Sequence, residues 1–147
     1  MATQSIDLLH TDVMKFNNNT VKKLRLNGST IWGAPIEHSF TGSGNTLNIS
    51  STSWTTGVLT VSLSNTPLRT DRLSELALQL PVTGSPIVFQ FRSIGETQTI
   101  AYYAVQLTAL SVEGNTARIT VRYRKTGSSY PTGYLQFNAI KFVYPDV

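Results

Sequence analysis

The sequence predicts an all-β protein: an antiparallel β-sandwich of the jelly-roll-like type, preceded by a small N-terminal β-meander. Of the 147 residues, 54 are Thr, Ser, Asn or Gly, and this composition favours short strands and tight turns over helices. Apolar and polar residues alternate in short runs, with a turn signal about every 8–15 residues. Amphipathic helices long enough for the crossovers of a parallel sheet are missing from the pattern, which leaves an antiparallel arrangement.

The first 35 residues are predicted to form an extended arm followed by the meander. Three strand-like runs, Val13–Phe16, Val21–Leu26 and Ser29–Trp32, are separated by 17–19 and by Asn27–Gly28. Asn-Gly between two such runs is a strong hairpin signal, because both residues tolerate the positive φ angles of a type I′ turn. A ribbon of this size is marginal alone, so we expect it to pack on something else. Residues 1–12 either lie against a neighbouring subunit or form a frayed terminus.

Residues 36–147 are predicted to form one sandwich domain. Its candidate strands are Thr46–Ser50, Gly57–Leu63, Glu75–Leu80, Ile87–Arg92, Gln98–Leu107, Leu110–Val112, Thr116–Lys125 and Gly133–Tyr144. The clearest is 116–125, in which one predicted core face alternates with one solvent face. The predicted core face carries Ala117, Ile119, Val121 and Tyr123. A three-residue loop, Glu113-Gly114-Asn115, is expected to join this strand to the preceding one.

The composition argues against catalysis and against bound cofactors. The chain has no Cys and two His, so thiolate metal sites, iron–sulfur clusters and cysteine nucleophiles are excluded. Its eight carboxylates show no recognisable pairing, and neither a nucleophile elbow nor a phosphate-binding loop is present. We therefore expect no catalytic residue, no metal site and no cofactor, and we rank a glycan hydrolase last. No run approaches the ~20 apolar residues of a membrane span, so no membrane partner is expected.

Cationic and aromatic residues supply the candidates for binding. The net charge of +4 comes from a cluster at 22–25 and from a stripe on the predicted strand 116–125, listed here as Arg118, Arg122, Arg124 and Lys125. Threonines separate these cations and no aromatic residue interleaves with them along that face, which disfavours nucleic acid; an acidic protein surface would use the same charges. Trp54, Tyr130 and Tyr134 are candidate glycan contacts. The alternative is that Tyr130 covers one end of the sandwich and Trp54 packs inside.

The segment VMKFNNNTVKKLRLNGSTIWG, residues 13–33, resembles a short module of tailed-bacteriophage virion proteins that recurs near the start of tail-associated and fibre-like polypeptides. Its features are an apolar strand ending in Phe16, a Val-Lys-Lys strand, Asn27-Gly28, and Ile31-Trp32 closing the hairpin. The resemblance implies a structural attachment element without catalytic residues. The residues expected at the attachment interface are Phe16, Val21, Lys22, Lys23, Leu24, Arg25, Leu26, Ile31 and Trp32.

Together these observations predict a non-enzymatic structural component of a tailed-phage virion, associated with the tail, neck or baseplate and assembled in the bacterial host cytoplasm. Its expected partners are other virion structural proteins, including further copies of itself in a homo-oligomer or symmetric array. Zero Cys agrees with cytoplasmic assembly. Two alternatives stay open: a capsid decoration protein of the same kind, and a carbohydrate-binding domain that recognises a host surface glycan.

Overall fold

The computed structural model describes residues 14–21, 23–33, 36–66, 73 and 75–144, and these form an all-β, antiparallel, sandwich-like fold. Fourteen strands are present in this part of the chain: β1 Met14–Phe16, β2 Asn19–Val21, β3 Lys23–Leu26, β4 Ser29–Gly33, β5 Ile36–Gly44, β6 Leu47–Ile49, β7 Thr55–Leu63, β8 Glu75–Thr83, β9 Val88–Phe91, β10 Thr97–Ile100, β11 Tyr103–Glu113, β12 Thr116–Lys125, β13 Gly133–Leu135 and β14 Ala139–Tyr144. The described residues include no helix that could cross a membrane.

The N-terminal region forms two hairpins rather than the predicted three-stranded meander. β1 pairs with β2, and β3 pairs with β4, in two separate ladders. The run expected as one strand, 21–26, is divided, because Val21 ends β2 and Lys23 begins β3. Positive φ angles were predicted for Asn27 and Gly28 and are confirmed, at 51° and 81°; the other turn also uses them, with Asn17 and Asn18 at 49° and 64°. Each turn closes a short local ladder, which costs little loop entropy.

The remaining ten strands form one continuous hydrogen-bonded path, in the order β10-β11-β12-β7-β5-β14-β8-β13-β6, with β9 paired to β8. Strand β5 links the two layers: its residues 36–41 pair with β14, and its residues 42–44 pair with β7. One layer therefore contains β10, β11, β12 and β7, and the other contains β14, β8, β9, β13 and β6.

A single hydrophobic core lies between the two layers. It joins Leu59 and Val121 of the first layer to Leu80, Phe89 and Phe142 of the second. The predicted inward face of β12 is confirmed, since its four core residues are all buried. Within the described residues this core extends from position 36 to position 142.

Lys125, predicted as part of the exposed cationic stripe, lies on the core side of β12. It is 9% exposed, and its Nζ donates hydrogen bonds to the backbone oxygens of Ser128 (3.2 Å) and Tyr130 (3.0 Å). The reason is the two-residue side-chain period of a strand, which places position 125 on the face of Tyr123 and opposite Arg124. The stripe on the outer face therefore consists of Arg118 and Arg122, which are exposed, and Arg124, which is half-buried.

Several element boundaries differ from those predicted. Strand β5 was not predicted, and the predicted strand 98–107 is two strands, β10 and β11, joined by a tight turn at Ala101–Tyr102. Ala101 has a φ of 48°, which is uncommon for a residue with a Cβ and gives no sequence signal. The loop after Glu113 has two residues, because Glu113 itself pairs with Thr116. The predicted strand 133–144 is interrupted between β13 and β14.

Candidate functional site

Trp54 and two arginines form a cation–π cluster on the outer face of the first layer. The guanidinium carbons of Arg122 and Arg124 each lie 5.1 Å from the centre of the Trp54 ring. Trp54 is 39% exposed, so its side chain is not packed in the hydrophobic core, and more than half of its surface is covered by neighbouring residues. Contacts of this kind contribute about 0.5–1 kcal/mol each at exposed sites, and here they hold two like charges beside one aromatic ring.

The strand register explains why these three side chains meet. Thr55 of β7 pairs with Tyr123 of β12, so Trp54 stands next to the following position, Arg124, on the adjacent strand. Arg122 and Arg124 are two residues apart on one strand, and side chains with this spacing share a face. Trp54 also shares that face, because it lies two residues before Thr56, and Thr56 is the pairing partner of Arg122.

The third arginine of the stripe has a different environment. Arg118 lies about 14 Å further along β12 from Arg122, at ~3.4 Å per residue. Together with Ser111, Glu113 and Thr116 it lines a shallow concavity of about 280 Å³. Its positive charge therefore lies near a carboxylate, unlike the charges at Trp54.

A second aromatic group lies at the same end of the sandwich. The rings of Tyr102 and Tyr130 are 4.8 Å apart at an angle of 44°, and both side chains are exposed, at 43% and 40%. Tyr102 makes an edge contact with the buried ring of Tyr103. Strand pairing places Tyr102 and Trp54 on opposite sides of the same end of β12: Tyr102 comes two residues before Ala104, the partner of Arg124, and Trp54 comes directly before Thr55, the partner of Tyr123.

The loop 126–132 that carries Tyr130 is held in place by hydrogen bonds on several sides. Besides the two bonds from Lys125, the amide of Tyr130 donates to the backbone oxygen of Gly127 (3.2 Å). The hydroxyl of Tyr103 donates to the backbone oxygen of Pro131 (3.1 Å). Burial raises the pKa of that hydroxyl above its ordinary value, with a smaller contribution from Tyr102. The loop therefore presents Tyr130 in a defined position.

The three predicted glycan contacts do not form one group. Trp54 lies with the arginines and Tyr130 lies with Tyr102. Tyr134 is 48% exposed on β13, where it pairs with Asn48 of β6 and Thr83 of β8 in the other layer.

The predicted attachment residues lie in the two hairpins. Val21 and Leu24 are half-buried, and Lys23 and Arg25 are exposed. The side chains of the other five fall outside the described residues: Phe16, Lys22, Leu26, Ile31 and Trp32.

The second layer carries a mixed-charge concavity of about 450 Å³, lined by Glu75, Arg92 and Lys141 together with Leu76 and Ala77. Lys141 forms an ion pair of 3.3 Å with Glu37. Next to it, the Glu96 carboxylate accepts hydrogen bonds from the backbone amide of Arg92 and from Gln98, each at 2.7 Å, and these bonds lower its pKa. The charges here largely offset one another. Among the described residues, no group of three or more His, Asp or Glu could hold a metal ion.

Sequence reasoning missed the cluster of Trp54 with the two arginines, because these residues are about 70 positions apart and meet only through strand pairing. Tyr102 was also not among the three residues named as glycan contacts. No protein-family model matches the chain, and no curated protein or solved structure matches it significantly.

Proposed function

We propose that this chain is a non-enzymatic structural component of a tailed-phage virion, associated with its tail, neck or baseplate and attached through its N-terminal segment. The observation that carries the proposal is the arrangement of residues 14–33. These residues, which carry the resemblance to phage virion proteins, form two hairpins whose ladders include no strand of the sandwich within the described residues. The segment is therefore available for pairing and packing with another protein.

The hairpins have the physical properties of an element completed by a partner. A two-stranded ribbon is marginally stable by itself in water, and each fully buried apolar side chain adds roughly 1.5–3 kcal/mol. A groove that buries Val21 and Leu24 would stabilise the ribbon. The exposed cations Lys23 and Arg25 would meet acidic groups at its rim.

Deletion of residues 1–33 tests this division of roles. The described core begins at Ile36, so we expect the truncated protein to keep its far-ultraviolet circular dichroism and its cooperative unfolding. We expect it to be absent from particles assembled in cells that make only this form, whereas the full chain is incorporated. Normal incorporation of the folded, truncated protein would overturn the proposal.

Charge substitutions provide a finer test on the intact chain. Lys23→Gln with Arg25→Gln should reduce incorporation, because rim charges steer association. The matched control removes two cations from the second layer of the sandwich, Arg92→Gln with Lys141→Gln, and should incorporate normally.

The capsid-decoration alternative differs in where the protein sits on the particle. Electron microscopy of particles that carry a labelled full-length chain distinguishes the two. Label confined to the tail, neck or baseplate supports the proposal, and label distributed over the capsid supports decoration.

A further inference from the structure

Two arginines that form no ion pair with a described carboxylate lie at one end of the sandwich, together with three exposed aromatic rings. The C-terminal end of β12 carries Arg122 and Arg124, the start of β7 is preceded by Trp54, and the turn before β11 carries Tyr102. Tyr130 follows β12 and contacts Tyr102. We call these five residues the aromatic–arginine surface.

The charge of this surface is not balanced by the described part of the protein. No described carboxylate forms an ion pair with either guanidinium group, and the acidic residue of the same sheet face, Glu113, pairs with Thr116 at the other end of β12. Thr116 and Arg122 are six positions apart, which corresponds to about 20 Å along the strand. Two like charges held on one ring repel each other, and an anion between them would relieve that repulsion.

Arg124 also carries a local cost. Its Nε is enclosed and has no hydrogen-bond acceptor among the described residues, while its Nη1 donates to the backbone oxygen of Lys125 at 3.3 Å. A buried donor left without a partner destabilises a fold. The Nε group of Arg124 is therefore a donor that the described part of the protein does not satisfy.

The aromatic part of the surface is held in place before any ligand arrives. Lys125 fixes the backbone of Tyr130 from inside, and Tyr103 fixes Pro131. Exposed rings that are already ordered bind with a small entropy cost. Their flat apolar faces, with a polar hydroxyl at one edge, suit the C–H face of a sugar ring.

The number of charges and the size of the surface set two limits on the ligand, and they distinguish a nucleic acid, a protein and an acidic sugar. Nucleic-acid binding typically rests on about six to ten phosphate contacts, whereas this surface offers two arginines beside rings that are tilted by 44° rather than parallel. A stable protein interface buries about 800 Å² per partner, much more than five side chains provide. A short oligosaccharide with one or two carboxylates fits both limits.

We propose that the aromatic–arginine surface binds an acidic oligosaccharide. The exposed guanidinium of Arg122 contacts a sugar carboxylate in a planar, bidentate arrangement. Arg124, whose Nε is enclosed and whose Nη1 donates to the backbone oxygen of Lys125, contributes its remaining N–H groups and its charge. Trp54 orients both arginines, and Tyr102 and Tyr130 pack against the neighbouring sugar ring. The site does not depend on attachment of the protein to a particle.

Isothermal titration calorimetry on the full-length protein tests this proposal. The first probe is the disaccharide of galacturonic acid, which carries two carboxylates, and its control is the same disaccharide with both carboxylates methyl-esterified. Oligomers of sialic acid and of hyaluronan provide two further carboxylate geometries. We expect at least one acidic probe to bind, more weakly as salt is raised, and the ester to bind at least tenfold more weakly than the acid.

Substitutions assign the binding to these residues. Arg122→Gln and Arg124→Gln should each weaken the acidic probe by about tenfold or more, the usual loss for a hydrogen bond to a charged group. Tyr102→Ala should weaken it by about two- to tenfold. Arg92→Gln removes the same charge from the second layer and should change nothing. Near-ultraviolet circular dichroism checks folding, and Arg122 is exposed, so Arg122→Gln decides the test if Arg124→Gln does not fold.

Three results would each overturn the proposal. The first is the absence of binding to all three acidic probes. The second is equal affinity for the acid and its ester, or loss of affinity in Arg92→Gln as large as in Arg122→Gln. The third is tighter binding of a single-stranded DNA octamer than of every acidic sugar, which would assign the surface to nucleic acid instead.

Discussion

Gly42→Ala tests how strand β5 joins the two layers of the sandwich. A Cβ placed on Gly42 would lie 2.1 Å from the backbone oxygen of Ser62 and 3.1 Å from a side-chain carbon of Val61. The first distance is more than 1 Å inside ordinary contact, and a backbone oxygen cannot rotate away as the end of a side chain can. The clash therefore separates β5 from β7 where the chain passes between layers.

The expected destabilisation is the difference between two opposing effects. Alanine in a strand is favoured over glycine by roughly 0.5–1 kcal/mol, because the unfolded chain with alanine has less backbone conformational entropy to lose on folding. Overpacking costs about 1–3 kcal/mol, and the displaced ladder loses one or two backbone hydrogen bonds at about 1 kcal/mol each. The clash dominates, so we expect Gly42→Ala to lower the free energy of unfolding by about 2–4 kcal/mol.

Urea unfolding, followed by circular dichroism and by fluorescence, measures this difference. With a denaturant slope of about 2 kcal/mol/M, the midpoint should fall by about 1–2 M. Gly44→Ala should behave similarly, because its Cβ would lie 2.2 Å from the backbone oxygen of Thr60. Ser43→Ala, at the exposed position between them, is the matched control and should stay within about 0.5 kcal/mol of the wild type. A Gly42→Ala protein that unfolds at the wild-type midpoint or above would refute the reasoning.

Three further predictions concern the loop and two titrating groups. In Gly127→Ala the new Cβ would lie 2.9 Å from the Tyr130 ring, so the ring should be displaced. The affinity for the acidic sugar should then fall, while the urea midpoint should change little. An unchanged affinity would contradict this prediction. The lowered pKa of Glu96 contributes stability that is present above its unfolded pKa and is lost as pH falls through the folded value. Glu96→Gln should therefore flatten the fall of the melting temperature below about pH 4.5, and an equally steep fall would contradict it. The raised pKa of Tyr103 contributes stability that is present below the pKa of the unfolded chain, near 10, and is lost at higher pH. Tyr103→Phe removes the hydrogen bond to Pro131, but it should also make the loss of stability at alkaline pH smaller. Melting curves from pH 8 to 11 that match the wild type would contradict this prediction.

The aromatic–arginine surface was only partly predictable. Trp54 and Tyr130 were identified as candidate ligand contacts because exposed aromatic residues stack on flat ligands. Their arginine partners were not identified, because the aromatic residue between Arg122 and Arg124 in sequence, Tyr123, faces the core, while the aromatic neighbour of those arginines comes from another strand. The register that pairs β7 with β12 supplies that neighbour.

Local patterning determined the fold class, the two faces of 116–125 and the turns with positive φ at Asn17-Asn18 and Asn27-Gly28. These three features depend on the two-residue period of a strand and on the backbone preferences of single residues, and both can be recognised in a short stretch of sequence. They do not require knowledge of what lies across the sheet.

Tertiary structure alone decided the rest. Strand β5 contains a polar, glycine-rich half that has no strand pattern, and it is extended because β14 and β7 hydrogen-bond to it in turn. Ala101 adopts its turn because Ile100 and Tyr103 pair on either side. Lys125 is buried because two backbone carbonyl groups of its own loop accept hydrogen bonds from its ammonium group. In each case the deciding interaction joins groups whose proximity depends on the path of the whole chain.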